Sequence, residues 1–231
     1  MTLTTVDRIN IAIDGPAGAG KSTVARKVAA ELGYVYVDTG AMYRAVTLHA
    51  QRNGIEPTQA SALQALVQAL DLNLLPTPTG QKILLHNEDV TELIRSREVT
   101  TQVSHYASNE DVRKKLGDMQ RSLAKHKGIV MDGRDIGTHV LPDAELKIFL
   151  TASVEERALR RYRELNESNF IPLEQLVAEI AARDKLDETR DIAPLIQAED
   201  ALLLDSSHMT IEEVVAFIVK LGKTKLMGVI E

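Results

Sequence analysis

The chain has 231 residues, of which 44% are apolar and 26% are charged, a mixture typical of a globular protein with one sizeable core. The absence of cysteine excludes a disulfide framework and a thiolate metal site. The net charge of −6 and the 3% aromatic content disfavour an extended groove for nucleic acid, and no apolar run reaches the roughly 18 residues of a membrane helix. We therefore expect a soluble, cytoplasmic, monomeric protein that binds neither nucleic acid nor membrane.

Five short segments rich in Ile, Val and Leu alternate with helical stretches along the chain. Apolar runs of this length are typical of strands that are buried on both faces, so the pattern predicts an α/β fold with a five-stranded parallel sheet flanked by helices. Four of the segments end in aspartate, which fits the ligand-binding edge of such a sheet and also ordinary capping of a turn or helix. The segments are Ile9–Asp14, Tyr34–Asp38, Gly128–Asp132, Glu145–Leu150 and Ala201–Asp205.

Capping residues predict where several helices begin and end. Gly33 is a suitable left-handed C-cap for a helix over Lys21–Leu32. Ser153 and Thr210 are each followed three residues later by glutamate, which is a capping-box pattern. The remaining predicted helices are a long amphipathic one over Asn109–His126 and one with Pro172 in its first turn.

One region interrupts the alternation of strands and helices. Pro76, Pro78 and Gly80 separate the short apolar segments Leu72–Leu75 and Lys82–His86. This pattern predicts a small antiparallel hairpin. We therefore expect one α/β domain with a small α+β insertion at about residues 58–106.

A glycine-rich octapeptide follows the first strand and opens the first helix. Its glycines allow successive backbone N–H groups to point at phosphate oxygens, and the helix N-terminus adds partial positive charge. The lysine is expected to reach the β- and γ-phosphates of ATP, and the serine hydroxyl to ligate Mg²⁺ as the cofactor. The sequence therefore predicts a sheet of the P-loop NTPase type and an ATP site formed by Gly15-Pro16-Ala17-Gly18-Ala19-Gly20-Lys21-Ser22 and Thr23.

Three further motifs follow in order. They are Asp38-Thr39-Gly40-Ala41-Met42-Tyr43-Arg44, Asp132-Gly133-Arg134-Asp135-Ile136-Gly137-Thr138 and Arg183-Asp184-x-x-Asp187-x-x-Arg190. Together with the phosphate motif they resemble bacterial cytidylate kinase, a P-loop nucleoside monophosphate kinase family, over nearly the whole chain. The resemblance implies transfer of the terminal phosphoryl group of ATP to CMP or dCMP. It also implies a core of residues 1–57, 107–152 and 191–231, an acceptor-binding insertion at about 58–106, and a helical lid at about 153–190.

The resemblance further implies roles for individual residues. Arg44, Arg134 and Arg190 are expected to hold the acceptor phosphate. Ser104, Arg113 and Asp135 are expected to read the cytosine edge, Arg183 and Asp187 to contact the acceptor sugar, and Thr39 to belong to the same CMP site. The catalytic groups are expected to be Lys21, Arg134 and Arg190, together with Arg157 and Arg161 of the lid, which would close over the ATP phosphates.

The chemistry of the residues is consistent with these roles. The guanidinium fork donates bidentate hydrogen bonds to phosphate oxygens, and a carboxylate complements the exocyclic amine of cytosine. Uracil would place a carbonyl there instead, so we expect a preference for CMP and dCMP over UMP of about ten- to a hundredfold.

Several alternatives stay open at this point. The i, i+4 spacing of Arg157 and Arg161 fits a solvated helix face equally well, and Asp132 has no assigned role beyond that of a strand-end carboxylate. A kinase for UMP, AMP or another small acceptor shares the phosphate motif. So does a nucleotide-dependent switch, although the guanine-reading Asn-Lys-x-Asp pattern is absent from the sequence.

Overall fold

The computed structural model describes residues 8–77, 80–164 and 171–227. Their strands and helices follow one another in the order of the predicted α/β pattern. In chain order they are β1 (Asn10–Asp14), α1 (Lys21–Leu32), β2 (Val35–Asp38), α2 (Thr39–Arg52), α3 (Ala60–Gln68), β3 (Leu72–Thr77), β4 (Gly80–Leu85), β5 (Glu88–Asp89), a 3₁₀ turn (Leu93–Arg95), α4 (Arg97–Ala107), α5 (Glu110–Ala124), β6 (Ile129–Gly133), a π turn (Ile136–Val140), β7 (Leu146–Thr151), α6 (Val154–Glu164), α7 (Leu173–Thr189), β8 (Leu202–Asp205) and α8 (Ile211–Leu226).

The central sheet has five parallel strands in the order β2-β6-β1-β7-β8. Each neighbouring pair runs parallel, with β1 at the centre between β6 and β7. All five predicted strands are confirmed, and their observed limits differ from the predicted ones by one residue at some ends. Because the strands are parallel, the loops after their carboxyl ends gather at one edge of the sheet.

Apolar layers cover both faces of this sheet, as the continuous apolar runs predicted. Ile11 and Ile13 of β1 pack on one face with residues of α1 and α8, such as Val24 and Ile218. Ala12 faces the opposite side, where α2 and α5 pack. Strand β1 is therefore buried on both faces, which explains why it shows no alternation of polar and apolar residues.

The inserted segment contains the predicted hairpin. Strand β3 pairs antiparallel with β4, and the sequence missed the short strand β5, which extends this small sheet to three strands. His86 and Asn87 connect β4 to β5 with φ values of 47° and 66°, as a tight type I′ turn requires. Pro78, counted among the turn residues of the predicted hairpin, lies outside the described residues.

The predicted helix ends are observed in part: the helix expected over Asn109–His126 has Asn109 as its N-cap residue but ends at Ala124. Gly33 caps α1 in a left-handed conformation with φ of 66°, and Thr210 forms the reciprocal capping box with Glu213 at the start of α8. Ser153 Oγ accepts the Glu156 N–H at 3.1 Å before α6, but the Ser153 N–H donates to Ser207 Oγ, so only half of the capping box predicted there forms. The placement of Pro172 in the first turn of a helix was wrong: it precedes α7 as the N-cap residue, because its ψ of 141° is extended.

Helices α6 and α7 make up the described part of the segment expected to form a lid. Residues 165–170, which connect them, lie outside the described ranges. Within the ranges that are described, none of the helices has the length and apolar character needed to cross a bilayer.

Candidate active site

A cavity of about 620 Å³ opens at the carboxyl ends of β1, β2 and β6. This volume lies within the range of ligand pockets. The lining contains almost all of the residues that the sequence singled out. They are Ala17, Gly18, Ala19, Gly20, Lys21, Ser22, Thr23, Thr39, Arg44, Ser104, Arg113, Arg134, Asp135, Arg183, Asp187 and Arg190, while Gly15, Pro16, Arg157 and Arg161 do not line it.

The phosphate loop has the backbone that its glycines predicted. Gly18 and Gly20 have φ values of 77° and 84°, and a Cβ at Gly15 would lie 2.0 Å from the Leu150 carbonyl oxygen. Lys21 Nζ donates to the Pro16 carbonyl at 2.6 Å. Burial, followed by the positive charge of Arg134, lowers the pKa of Lys21 well below its usual value. An incoming polyanion would offset this cost of holding the ammonium group charged.

Asp132 lies beside the predicted magnesium ligand. Ser22 Oγ donates to Asp132 Oδ2 at 2.7 Å, and the Tyr36 hydroxyl donates to Oδ1 at 3.0 Å. Burial and then the nearby charge of Asp38 raise the pKa of Asp132 to about 6. The structure thus places a buried carboxylate against the hydroxyl of the phosphate loop.

These oxygen atoms fit Mg²⁺, which prefers oxygen ligands and is usually bound by one or two protein groups together with substrate phosphates. Across residues 8–77, 80–164 and 171–227, no cluster of three or more His, Cys, Asp or Glu side chains could form a self-sufficient metal cage. The arrangement suits a cation that arrives with a nucleotide, with Ser22 and Asp132 as its protein-side partners.

Asp14 organises the loop that carries Arg134 and Asp135. Its two carboxylate oxygens accept the Ile136 N–H at 2.8 Å and the Gly137 N–H at 2.7 Å. Burial raises the pKa of Asp14 to about 6, although the two backbone hydrogen bonds oppose this rise. The sequence identified Asp14 only as a strand-end aspartate and missed this role.

Two arginines that line the cavity each have a buried Nε atom with no hydrogen-bond partner, Arg44 and Arg183. Arg44 also lies 3.3 Å from Asp38 through Nη2. Burial and the neighbouring charge of Arg134 lower the pKa of Arg183 to about 10. A buried donor without a partner costs about 1–3 kcal/mol, so these groups favour the binding of an anion.

Two of the three residues predicted to read the base, Arg113 and Asp135, are hydrogen-bonded to each other, whereas Ser104 bonds to Asp187. Arg113 pairs with Asp135 Oδ2, and Arg190 Nη2 lies 3.2 Å from Oδ1 of the same carboxylate. The Arg113 guanidinium also lies 5.5 Å from the ring centroid of Tyr43. The structure therefore brings together a carboxylate and two guanidinium groups at one end of the cavity.

A second carboxylate, Asp187, holds a separate set of hydrogen bonds beside this cluster. Asp187 Oδ1 accepts the Ser104 hydroxyl at 3.0 Å, and Asp187 Oδ2 accepts Arg134 Nε at 2.9 Å. Both Asp187 and Ser104 are buried. The acceptor-side residues of α4, α7 and the loop after β6 thus share one network, although they are far apart in the sequence.

The arginines of α6 are arranged differently from the prediction. Arg157 is buried and binds the protein backbone and Asp184, so it does not belong to a solvated helix face. Arg161 is exposed and has an interaction partner. Instead, Arg160 and Arg163 line the cavity, and Arg160 Nη2 donates to the Ser206 carbonyl at 2.7 Å. The arginine-rich composition was the available signal for these two residues, but the family resemblance pointed to Arg157 and Arg161.

A parallel sheet with a glycine-rich phosphate loop at its edge, facing a second group of arginines across one cavity, defines a P-loop kinase. The family model described as cytidylate kinase matches residues 11–224. The chain therefore belongs to the cytidylate kinase family.

Individual relatives agree with this assignment. The chain is 55% identical over 215 residues to a cytidylate kinase from an Exiguobacterium species, covering 92% of this chain and 96% of the relative. It is 51% identical over 208 residues to the cytidylate kinase of Bacillus subtilis, covering 90% and 93% of the two chains. Among solved structures, a gluconokinase from Sinorhizobium meliloti has the same fold at a TM-score of 0.50 and 14% identity, covering 96% and 97%.

Proposed function

We propose that the protein transfers the terminal phosphoryl group of ATP to CMP or dCMP, with ADP and CDP or dCDP as products. The observation that carries the proposal is that Lys21 and the phosphate loop face Arg44, Arg134 and Arg183 within one shared cavity. Two polyanions can meet only where cations offset their repulsion, and this cavity supplies cations from both sides. Membership of the cytidylate kinase family supports cytidine nucleotides as acceptors.

The phosphate loop and α1 form the donor side. The backbone N–H groups of residues 18–23 and the α1 N-terminus suit the β- and γ-phosphates. Lys21 donates to Pro16 in this structure and would exchange that bond for phosphate oxygens. Ser22, supported by Asp132, would hold Mg²⁺, which when bound supplies positive charge to the phosphates.

The arginine network forms the acceptor side. Arg44 and Arg134 suit the acceptor phosphate, and Arg183, which was expected at the acceptor sugar, suits it as well because its Nε atom has no partner. The acceptor attacks through a phosphate oxygen that is already negatively charged, so the reaction needs no general base. The arginines would orient this oxygen and stabilise the charge that spreads over the transferring group.

Asp135 is the group best suited to recognise cytosine. The exocyclic amine of cytosine is a donor and Asp135 is an acceptor, while the N3 and O2 atoms of the base are acceptors that Arg113 or Ser104 can meet. Uracil would set its O4 carbonyl against the carboxylate. Each such mismatch in a desolvated pocket costs about 1–3 kcal/mol.

An ADP-release assay with Mg²⁺ and ATP tests the proposal directly. We expect CMP and dCMP to be phosphorylated at least about tenfold more efficiently than UMP, AMP or GMP. Lys21→Ala should remove most of the turnover, because the substitution deletes a cation at the transferring phosphate. Equal turnover of AMP and CMP would overturn the choice of acceptor, and failure to form any diphosphate would overturn the proposed activity.

A further inference from the structure

One ion pair holds the phosphate loop from outside the cavity. Arg157, on α6, donates from Nη1 to the Ala17 carbonyl at 2.8 Å and to Asp184 Oδ2 at 2.6 Å. Asp184, on α7, accepts the Ala17 N–H at 3.2 Å on its other oxygen. The pair, which we call the loop clamp, therefore binds both backbone polar groups of one residue of the phosphate loop.

The loop clamp is buried and tightly packed. Arg157 and Asp184 are 4% and 7% exposed, and Arg157 Nε donates to the Ala152 carbonyl at 2.9 Å. A Cβ built on Gly18 would lie 3.2 Å from the Arg157 Cβ, so the side chain crosses the loop at close range. Buried ion pairs contribute little net stability in general, because desolvation opposes their attraction. The directional hydrogen bonds of Arg157 and Asp184 with Ala17 indicate instead that this pair controls the conformation of the loop.

Helix α7 joins the clamp to the acceptor side of the cavity. Asp184 lies next to Arg183, which lines the cavity, and one turn before Asp187, which binds Ser104 and Arg134. The same helix thus grips the donor loop with one carboxylate and the acceptor network with another.

We propose that Arg157 and Asp184 are positioning residues that fix the phosphate loop in its ATP-binding conformation without touching the nucleotide. The loop must present several N–H groups in one direction, and a loop that is already ordered binds more tightly because less conformational entropy is lost. This role differs from the direct contact with ATP phosphates expected for Arg157. It rests on the proposed function only in requiring that the loop bind an adenine nucleotide.

Removing one partner would leave a buried unpaired charge, so the main variant removes both. The double variant Arg157→Met/Asp184→Ala should bind MgADP about tenfold more weakly than the wild type in titration calorimetry, while the affinity for CMP alone stays within about twofold. The matched control is Arg97→Met/Glu179→Ala, which removes a 2.7 Å exposed ion pair between α4 and α7. The control should bind both nucleotides like the wild type.

The double variant Arg157→Gln/Asp184→Asn provides a milder test, because it keeps two polar side chains and leaves no buried unpaired charge. The amide oxygen introduced at position 184 can still accept the Ala17 N–H, but the charge-assisted hydrogen bonds are lost, so we expect a loss of MgADP affinity of a few fold. This variant decides the matter if the first double variant does not fold.

Three results would overturn the proposal. MgADP affinity within about twofold of the wild type in the folded variants would mean that the clamp does not order the loop. Equal weakening of MgADP and CMP would indicate general loosening of the fold. Weaker binding of β,γ-methylene-ATP with unchanged binding of MgADP would mean that Arg157 contacts the γ-phosphate directly, because ADP lacks that group.

The same measurements separate this inference from the proposed function. MgADP binding is measured without an acceptor, so the clamp can be tested even if CMP is not phosphorylated. Conversely, suppose that the wild-type enzyme phosphorylates CMP while a clamp variant binds MgADP normally. That result would refute the positioning role of the clamp and leave the proposed function intact.

Discussion

Asp135 is held by two different arginines, one on each carboxylate oxygen, so its position is fixed before any base arrives. We predict that Asp135→Asn lowers the ratio of kcat/KM for CMP to that for UMP by about ten- to a hundredfold, because an amide can donate to the uracil carbonyl. Steady-state kinetics on both acceptors measure this ratio. Arg44→Lys serves as the control, because weaker binding of the acceptor phosphate should affect CMP and UMP alike. An unchanged ratio in Asp135→Asn would rule out base reading by Asp135.

Asp132 allows a test in which stability and activity move in opposite directions. Its pKa of about 6 means that the folded state holds this proton more tightly than the unfolded state, so its contribution to stability falls as the pH rises from about 4 to about 6 and stays low above that. At neutral pH the penalty is at most about 3 kcal/mol. Both partners of the carboxylate are hydroxyl groups, which can accept as well as donate, so an asparagine would remain hydrogen-bonded.

We therefore predict that Asp132→Asn raises the melting temperature at pH 7.5, raises it less at pH 4.5, and reduces ATP-dependent turnover at least about tenfold. The loss of turnover follows from removing negative charge beside the proposed Mg²⁺ ligand Ser22. Thermal unfolding at both pH values and an ADP-release assay provide the measurements. A variant that is less stable than the wild type at pH 7.5 would contradict the assigned cost of burying this charge.

The residues that the sequence missed are those whose partners are distant. Asp14 binds N–H groups more than 120 positions away, and Asp132 binds a serine 110 positions away. No local pattern marks such a pair, so both were seen only as strand-end aspartates. The phosphate loop was predictable because its glycines, lysine and serine act within one continuous segment. The acceptor arginines came from the family resemblance, and the structure gathers them around the cavity.

At the scale of helices and strands, local sequence signals predicted the limits of those elements whose ends depend on residues within or next to the element. Helix α1 has the predicted limits, and the capping box of α8 is present. Strand β5 was missed because two residues carry no periodicity, and it exists only through its pairing with β4. The cavity-facing side of α6 was also not predictable, since arginines occupy several faces of the helix and packing against α7 and the phosphate loop decides which of them is buried.

The β4–β5 turn is anchored to α2 by a pair of histidines. His86 Nε2 lies 3.3 Å from His49 Nε2, and an ion pair between Arg52 and Glu88 lies beside them. Burial, followed by the charges of His86 and Arg52, lowers the pKa of His49. The unfolded state therefore binds more protons below about pH 6.5, so this contact weakens as the pH falls through that region.

We predict that His49→Gln reduces the loss of stability between pH 7.5 and pH 5.5. The difference should be a fraction of a kcal/mol, because the pair is partly exposed and screened by solvent. Denaturant unfolding at the two pH values measures it. If the pH dependence of His49→Gln equals that of the wild type, folding does not lower the pKa of His49.

For the whole molecule, net charge and local charge have opposite signs. The chain carries −6 overall, yet its cavity is lined by Lys21 and many arginines, and burial disfavours the charged form of Lys21 and Arg183. Carboxylates also line the cavity, but they are fewer than its cations, so holding the excess positive charge together lowers the stability of the fold. A polyanion without any nucleoside should therefore stabilise the folded protein.

We predict that sodium tripolyphosphate at about one hundred times its Kd raises the melting temperature by about 5–10 °C, since binding at that ratio contributes about 2.7 kcal/mol. Sodium chloride at matched ionic strength should raise it much less, because screening acts on the acidic surface as well as on the cavity. Lys21→Met should lower the tripolyphosphate effect severalfold, while Lys220→Met on the exposed face of α8 should leave it unchanged. Equal shifts with both salts would mean that the cavity cations are not what opposes folding, and the charge of the cavity would then no longer explain how the molecule receives a triphosphate.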